Sequence, residues 1–384
     1  MDMRIGDGRC RVVIATVRPE IDGGRFAIKR TVGEQVVVEA DIFTDGHDAI
    51  RALLHWKRAE DPEWTEVPMR PLVDDRWRAE FCVEEVGEYR YTVRAWVDDF
   101  QTWRRDMSKR LKSGEADPIE FLIGANLIHH RAHGAAGEDG AVLESFAARL
   151  EDPAGADKTE AALDEGLASL MLRYPDRSLE VAYPQELRVT VDPVRARFSA
   201  WYELFPRSTA AEAGSHGTFR DCENVLSRVA SMGFDVVYLP PVHPIGRTHR
   251  KGRNNSLECL PEDVGSPWAI GAEEGGHKAV HPALGTLDDF QRLVEKARGL
   301  GLEIALDIAL QCSPDHPYVR GHPDWFRTRP DGTVQYAENP PKKYQDIYPF
   351  NFECEDWRGL WEELKSIFVF WLGLGVRIFR VDNP

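Results

Sequence analysis

A chain of 384 residues has the length of two or three domains at roughly 150 residues each, and with 42% hydrophobic and 29% charged residues it is not a disordered chain. Its 64 acidic side chains outnumber 48 basic ones, for a formal net charge of −16, so nucleic acid and anionic membrane surfaces are expected to repel it. No apolar run reaches the roughly 18 residues that span a bilayer. Met1 to Val13 lacks the apolar core and cleavage site of a secretion signal. Cys10, Cys82, Cys222, Cys259, Cys312 and Cys354 are scattered without CxxC spacing, as expected of free thiols in a cytoplasmic protein without a structural metal.

The first hundred residues carry short runs of period two. Tyr89, Tyr91, Val93, Ala95 and Val97 alternate with Arg90, Thr92, Arg94, Trp96 and Asp98, the pattern of a half-buried strand. Gln35 to Phe43, Leu53 to Lys57 and Trp77 to Val83 read the same way, so residues 1–100 are expected to form a β-sandwich. Such a module is structural or interaction-bearing more often than catalytic. Over residues 101–184 the apolar spacing becomes helical, as in Gly140 to Leu150 and Lys158 to Tyr174. Alternation returns at Glu186 to Asp192, which puts residues 185–195 back in the sandwich and makes the helices an insertion.

From residue 196 to 384 strands and helices take turns. Phe198 to Phe205 is the first strand candidate. Thr218-Phe-Arg-Asp221 and Thr286-Leu-Asp-Asp289 each open an amphipathic stretch as a capping box, and Gly233 and Gly301 follow as stops. Each helix passes within one or two residues into an apolar run, Phe234 to Leu239 and Leu302 to Leu310. A third unit runs from Asp356 through Trp371 to Gly375 and into Val376 to Val381. Near-continuous apolar strands belong to a parallel sheet covered on its faces. Short helix-to-strand links beside long strand-to-helix loops, 240–285 and 311–355, are the asymmetry of a (β/α)8 barrel, whose chemistry lies on the long-loop side. The fold expected is multidomain: an all-β N-terminal sandwich with an inserted helical subdomain, then the first half, four strands, of a (β/α)8 barrel.

Two carboxylates stand at those strand ends, Asp307 and Asp382. Arg380 precedes Asp382 by two residues, so both side chains leave the strand on one face, where a guanidinium keeps a carboxylate ionised and directed. An aspartate that attacks an anomeric carbon needs both properties; the alternative reading is a structural Arg–Asp pair. The loop Arg247-Thr-His249-Arg250-Lys251-Gly252-Arg253-Asn254-Asn255 concentrates positive charge, either as a solvated loop or to hold a phosphorylated sugar. His129, His130 and His133 have metal-like spacing but lie in a polar segment with no paired carboxylate motif, so no metal is expected there. Gly373-Leu-Gly375 fails as a dinucleotide fingerprint and the sequence has no Walker loop, so no cofactor is expected. Trp201, Tyr202, Trp268 and Trp325 could stack on sugar rings or simply pack.

The Arg-x-Asp strand end, the upstream Asp307 strand and Pro240-Pro-Val-His-Pro-Ile-Gly246 resemble the α-amylase superfamily, glycoside hydrolase family thirteen. Within it, Asp307-Ile-Ala-Leu-Gln311-Cys312-Ser-Pro-Asp-His-Pro317 departs from the usual Asp-x-x-x-Asn-His. With Arg380-Val-Asp382-Asn383-Pro384, it resembles the bacterial maltosyltransferases that use α-maltose 1-phosphate to extend α-1,4-glucans. The resemblance covers essentially the whole chain, because those enzymes also begin with a β-sandwich carrying a helical insertion. It implies that Asp382 is the nucleophile of a retaining reaction through a β-maltosyl-enzyme, with Arg380 as its neighbour. It further implies that Lys251, Gln311, Asp346 and Asn383 bind the donor, with Asn339, Lys342 and Tyr344 near its phosphate and Ser266 also at the donor site. Asp307 is then a structural or substrate-adjacent group, not the acid. A homodimer through the N-terminal region and an α-1,4-glucan acceptor are implied in the same way.

The general acid of such an enzyme is expected as a Glu at the next strand end, with a further Asp beyond it, and this sequence stops two residues after Asp382. The chain is therefore expected to be an N-terminal fragment, inactive alone, with Val376 to Val381 as an aggregation-prone edge. Two other readings stay open. One is an amylase-like hydrolase or branching-type transglycosidase, against which Gln311-Cys312 and the basic loop count. The other is a non-catalytic carbohydrate-binding or dimerisation fragment.

Overall fold

Alternation builds the N-terminal half. The computed structural model describes residues 8–155 and 157–382, and the chain divides into two units, Met1–Arg197 and Phe198–Pro384. The strands of the first are β1 (Val13–Arg18), β2 (Ile28–Thr31), β3 (Gln35–Phe43), β4 (Ile50–Arg58), β5 (Thr65–Pro68), β6 (Arg70–Pro71), β7 (Arg76–Cys82), β8 (Gly87–Val97), β9 (Val181–Ala182) and β10 (Leu187–Asp192). One sheet runs β1-β3-β7-β6 and the other β2-β10-β8-β4-β5, with β9 on β8. Their inward residues, among them Val36, Val38, Phe81, Tyr91, Val93, Leu187 and Val189, share one core. β10 lies parallel to β2 and antiparallel to β8. β9 falls inside the stretch read as helical insertion, yet Ala182 pairs with Arg94 of β8, so the sandwich resumes before residue 185.

Between β8 and β9 come α1 (Asp99–Ser113), α2 (Pro118–Ala132), α3 (Asp139–Glu151), α4 (Lys158–Leu163) and α5 (Glu165–Arg173). They bury their own core of Trp103, Met107, Phe121, Ile128, Leu143, Leu150 and Leu167. The sequence shows Lys158 to Tyr174 as one helical stretch, but Asp164 divides it. Its extended backbone ends α4, and its carboxylate accepts the Leu167 N–H as the N-cap of α5.

The second unit contains β11 (Trp201–Glu203), α6 (Phe219–Ser231), β12 (Val236–Leu239), α7 (Leu287–Gly299), β13 (Glu303–Ala309), β14 (Gln311–Cys312), α8 (Pro317–Gly321), β15 (Ala337–Asn339), β16 (Lys342–Tyr344), β17 (Tyr348–Pro349), α9 (Trp357–Gly373) and β18 (Ile378–Asp382). β11, β12, β13 and β18 form a parallel sheet in that order, the wall of successive βα units in a barrel's first half. Both capping boxes form: the Thr218 and Thr286 side chains accept the N–H groups of Asp221 and Asp289, whose carboxylates reach back. Past each helix, Gly233 (φ 85°), Gly301 (φ 76°) and Gly375 (φ 94°) supply the left-handed residue that turns the chain into the next strand. The first strand is shorter than Phe198 to Phe205. The long loops also have structure of their own, the pairs β14–β17 and β15–β16.

Strand alternation sorts this sheet into two unlike faces. Val237, Leu239, Ile304, Leu306 and Ile308 point at Phe219, Leu226, Phe290, Leu293, Leu364 and Trp371 of the covering helices. Burying each such large side chain contributes about 1.5–3 kcal/mol. The other face carries Glu203, Tyr238, Asp307, Arg380 and Asp382, aligned by the register Glu203↔Tyr238, Tyr238↔Ala305, Asp307↔Arg380 and Ala309↔Asp382. The expectation of apolar packing on both faces thus holds only on the helix side.

Candidate active site

Asp307 is the fixed point of the polar face. It is fully buried, and its Oδ2 accepts the Tyr238 hydroxyl, the Trp268 indole N–H at 3.2 Å and Arg380 Nη1 at 3.1 Å. Its Oδ1 has no hydrogen bond among the described residues. Burial pushes this carboxyl above its ordinary range, and the Tyr238 hydrogen bond and Arg380 charge pull against that. Burial and the same hydrogen bond push the Tyr238 hydroxyl up, so it stays a donor. Arg380 Nη1 also lies 2.8 Å from Asp382 Oδ1, and the Asp382 side chain is 27% exposed. The same-face placement of Arg380 and Asp382 follows from their spacing of two. The third member of the cluster, Asp307, joins them through the β13–β18 register.

Around this strand end the structure places the other residues singled out in the sequence. Gln311 is buried and donates to the Trp268 carbonyl at 3.1 Å. Lys251 and Asp346 are both buried, with Nζ 3.8 Å from Oδ1, and that oxygen has no hydrogen bond among the described residues. Burial raises the Asp346 carboxyl and Lys251 opposes the rise. Lys251 stands between two clefts. One, of about 320 Å³, is lined by Ser266, Trp268, Asn254 and Asn255 among others. The second, of about 390 Å³, takes in Lys342 and Tyr344 of the β15–β16 hairpin. Asn339 pairs with Lys342 in that hairpin but is exposed and lines neither cleft. Asn383 lies outside the described residues.

The basic loop is less open than its sequence implies. Arg250 donates to the carbonyls of Ile245 and Gly246, Arg247 pairs with Glu274, and Arg253 lies 3.7 Å from Asp263. Of the aromatic candidates, Trp325 is buried and donates to Asp356, and Tyr202 packs edge-on against Phe234 on the helix side, so both are packing residues. Trp201 is 40% exposed on the polar face, and Trp268 serves Asp307. In the helical insertion His129 does meet two carboxylates, Glu144 at 2.7 Å and Glu151 at 3.0 Å. They come from α3, which the sequence around His129 does not reveal.

The family model for alpha-1,4-glucan:maltose-1-phosphate maltosyltransferase, domain N/S, matches residues 10–193. Over 378 residues the chain is 52% identical to the alpha-1,4-glucan:maltose-1-phosphate maltosyltransferase of Chlorobaculum tepidum, covering 98% of this chain and 56% of that one. Over 381 residues it is 51% identical to the protein of the same name from Myxococcus xanthus, covering 97% and 57%. Over nearly its whole length the chain is similar to these maltosyltransferases. It spans a little over half the length of the curated relatives it matches. Among solved structures, an alpha-amylase from Lactobacillus plantarum is similar over 49% of this chain and 39% of that chain, at 29% identity and a TM-score of 0.40.

Sequence reasoning missed Tyr238 as a partner of Asp307 and missed a buried trio, His277, Cys312 and His316. Tyr238 leaves a period-two signal, since it faces the same side of β12 as Val236 and not the side of Val237 and Leu239. The trio leaves none, because its members come from two loops.

Proposed function

We propose that this chain supplies the donor half of a maltosyltransferase active site, in which Asp382 attacks C1 of α-maltose 1-phosphate. In that step the Asp382 Oδ–C1 bond forms, the C1–O bond to phosphate breaks, and phosphate departs with the electron pair. A carboxylic acid supplied from beyond these strands protonates the departing oxygen. The 4-hydroxyl of an α-1,4-glucan then attacks C1, the carboxylate leaves, and the hydroxyl proton passes to the group that had served as acid, for net retention. Arg380 holds Asp382 in its aim through their ion pair. Lys251, Gln311, Asp346, Asn383 and Ser266 hold the sugar phosphate, with Lys342, Tyr344 and Asn339 near its phosphate.

The observation that carries this reading is Arg380 between a buried anchor, Asp307, and a partly exposed carboxylate, Asp382, at the mouth of a parallel sheet. The unsatisfied Asp346 Oδ1 beside Lys251 supports it, since a sugar hydroxyl would complete that oxygen. On the same reading the protein works in a bacterial cytoplasm as a homodimer, and residues 1–195 are its sandwich and insertion.

The test is phosphate release from α-maltose 1-phosphate with glycogen as acceptor, by the protein at the full length of its relatives. Loss of release in Asp382→Ala, with a maltosyl adduct on the Asp382 peptide of the unmodified protein, is expected. Release that survives Asp382→Ala refutes the nucleophile assignment. Maltose formed at an equal rate without acceptor marks a hydrolase instead.

A further inference from the structure

His277, Cys312 and His316 are all buried, their ligand atoms lie within 4.8 Å of one another, and none has a part in the donor site just described. Two histidines and a cysteine raise the question of a metal. The hydrogen bonds answer it. His316 Nδ1 accepts the backbone N–H of Tyr318 at 3.0 Å, so the proton of the neutral ring sits on Nε2. That Nε2 lies 3.1 Å from Nδ1 of His277, whose own Nε2 lies 2.9 Å from the carbonyl of Ala309, a group that can only accept. One tautomer pair satisfies every contact: Tyr318 N–H to His316, His316 Nε2–H to His277, His277 Nε2–H to the Ala309 carbonyl. A metal on His316 Nε2 would need that ring as an imidazolate. Burial holds both rings neutral, with His277 pulled down to about 4 and His316 to about 2.

This series of hydrogen bonds stops at the Ala309 carbonyl, beside the proposed nucleophile. Ala309 is the last residue of β13 and pairs in register with Asp382, and the next amide, Leu310 N–H, donates to the Asp382 carbonyl at 3.2 Å. Gln311 follows directly. At its other end His316 is clasped by the loop that carries Ser266 and Trp268. A Cβ on Gly271 would fall 2.2 Å from His316 Cδ2, and one on Gly276 would fall 2.2 Å from its Nε2. Ser313 N–H donates to the Ile270 carbonyl at 2.7 Å, and Trp371 of α9 donates to the His277 carbonyl at 2.8 Å.

We infer that His316 and His277 are positioning residues. Their one-directional hydrogen-bond chain ties both long loops to the carbonyl of Ala309 and thereby sets the backbone from which Asp382 and Gln311 project. The inference rests on the reading of Asp382 as the attacking group, and its structural half can be tested without turnover.

In the 384-residue chain labelled with 15N-histidine, a through-hydrogen-bond N–N coupling between His316 Nε2 and His277 Nδ1 is expected. One equivalent of tightly bound zinc by elemental analysis, or rings in the opposite tautomers, overturns the chain. In His277→Ala the Leu310 amide should exchange at least about tenfold faster, with the Leu293 amide in α7 changed less than about twofold, and His277→Gln should restore protection. Equal effects at Leu310 and Leu293 would mean a merely structural role and overturn the inference. In the protein at its relatives' length, His277→Ala should lower kcat for phosphate release about 10–100-fold with KM for α-maltose 1-phosphate within about threefold. An unchanged kcat overturns the positioning role. Coupling and amide protection without any phosphate release by the unmodified protein support the hydrogen-bond chain and overturn the donor reading alone.

Discussion

Asp307 and Asp382 meet on one nitrogen atom, Arg380 Nη1, at 3.1 Å and 2.8 Å respectively. The two carboxylates are not equivalent. Asp307 is buried beneath Tyr238 and Trp268, which fix it, and it in turn fixes the guanidinium that faces Asp382. Arg380→Ala is expected to cut phosphate release by about 100-fold or more. Arg380→Lys should recover little, since a lysine side chain is one atom shorter than the path to Nη1 and its ammonium falls short of the point where both acids meet. In urea unfolding, Asp307→Ala should cost about 3–5 kcal/mol, because it strands donors already aimed at a buried acceptor.

Lys251 and Asp346 allow stability and binding to be separated. Lys251→Met leaves the Asp346 carboxylate buried without its counter-charge and should destabilise by about 3–5 kcal/mol. The double variant Lys251→Met/Asp346→Leu replaces the pair by apolar bulk and is expected to regain most of that loss. Its affinity for α-maltose 1-phosphate, read by calorimetry, should stay lost in both variants. Recovery of binding with stability would show the pair to be structural.

Acid should weaken the C-terminal unit earlier than its carboxylates would dictate. Burial pulls His243, His277 and His316 down from 6.5 to about 3, 4 and 2. Below 6.5 the unfolded chain takes up protons that the folded chain refuses, so each ring's contribution is complete above 6.5 and is lost as pH falls toward the folded value. The slope is up to about 1.4 kcal/mol per pH unit per ring. Glu363 favours the charged form of His277, His277 disfavours it in both His243 and His316, His243 disfavours it in His316, and Lys278 is held by Glu363. The expected result is a urea midpoint that falls as pH drops from about 6.5 toward about 4, with a shallower fall in His277→Gln.

In the insertion, two effects of opposite sign compete at Gly124. Alanine there gains about 1 kcal/mol of helix propensity. Its Cβ, however, would fall 2.1 Å from Cζ2 of Trp103, whose indole N–H is pinned to the Glu120 carbonyl at 2.7 Å. Overpacking of about 1–3 kcal/mol should win, so Gly124→Ala is expected to lower the melting temperature. Gly134→Ala, whose Cβ would meet only a carbonyl at 3.8 Å, serves as the neutral control.

Features written in neighbouring residues were legible beforehand. The strand Gln35–Phe43, both Thr-to-Asp capping boxes and the shared face of Arg380 and Asp382 each depend on spacings of two to four. What escaped depends on register between distant segments. Tyr238 and Trp268 reach Asp307 across 69 and 39 residues of chain, and His277 meets His316 across 39. No local pattern marks a residue whose partner is supplied by a loop. The same holds for Trp325, a sugar-stacking candidate by type that the fold places under His322 as packing.

The alternation of β13 sets how this protein can vary in length. Leu306 and Ile308 face the helices while Asp307 between them faces the site. A single-residue insertion or deletion inside this strand would exchange those faces, sending a carboxylate into the apolar layer and a leucine into the chemistry. One such event removes folding and function together, and no point substitution nearby can repair it. Changes of length among related chains should therefore accumulate in the exposed turn around Asp331 to Thr333 and leave Glu303–Ala309 untouched, a pattern that reading-frame-preserving indel libraries would display directly.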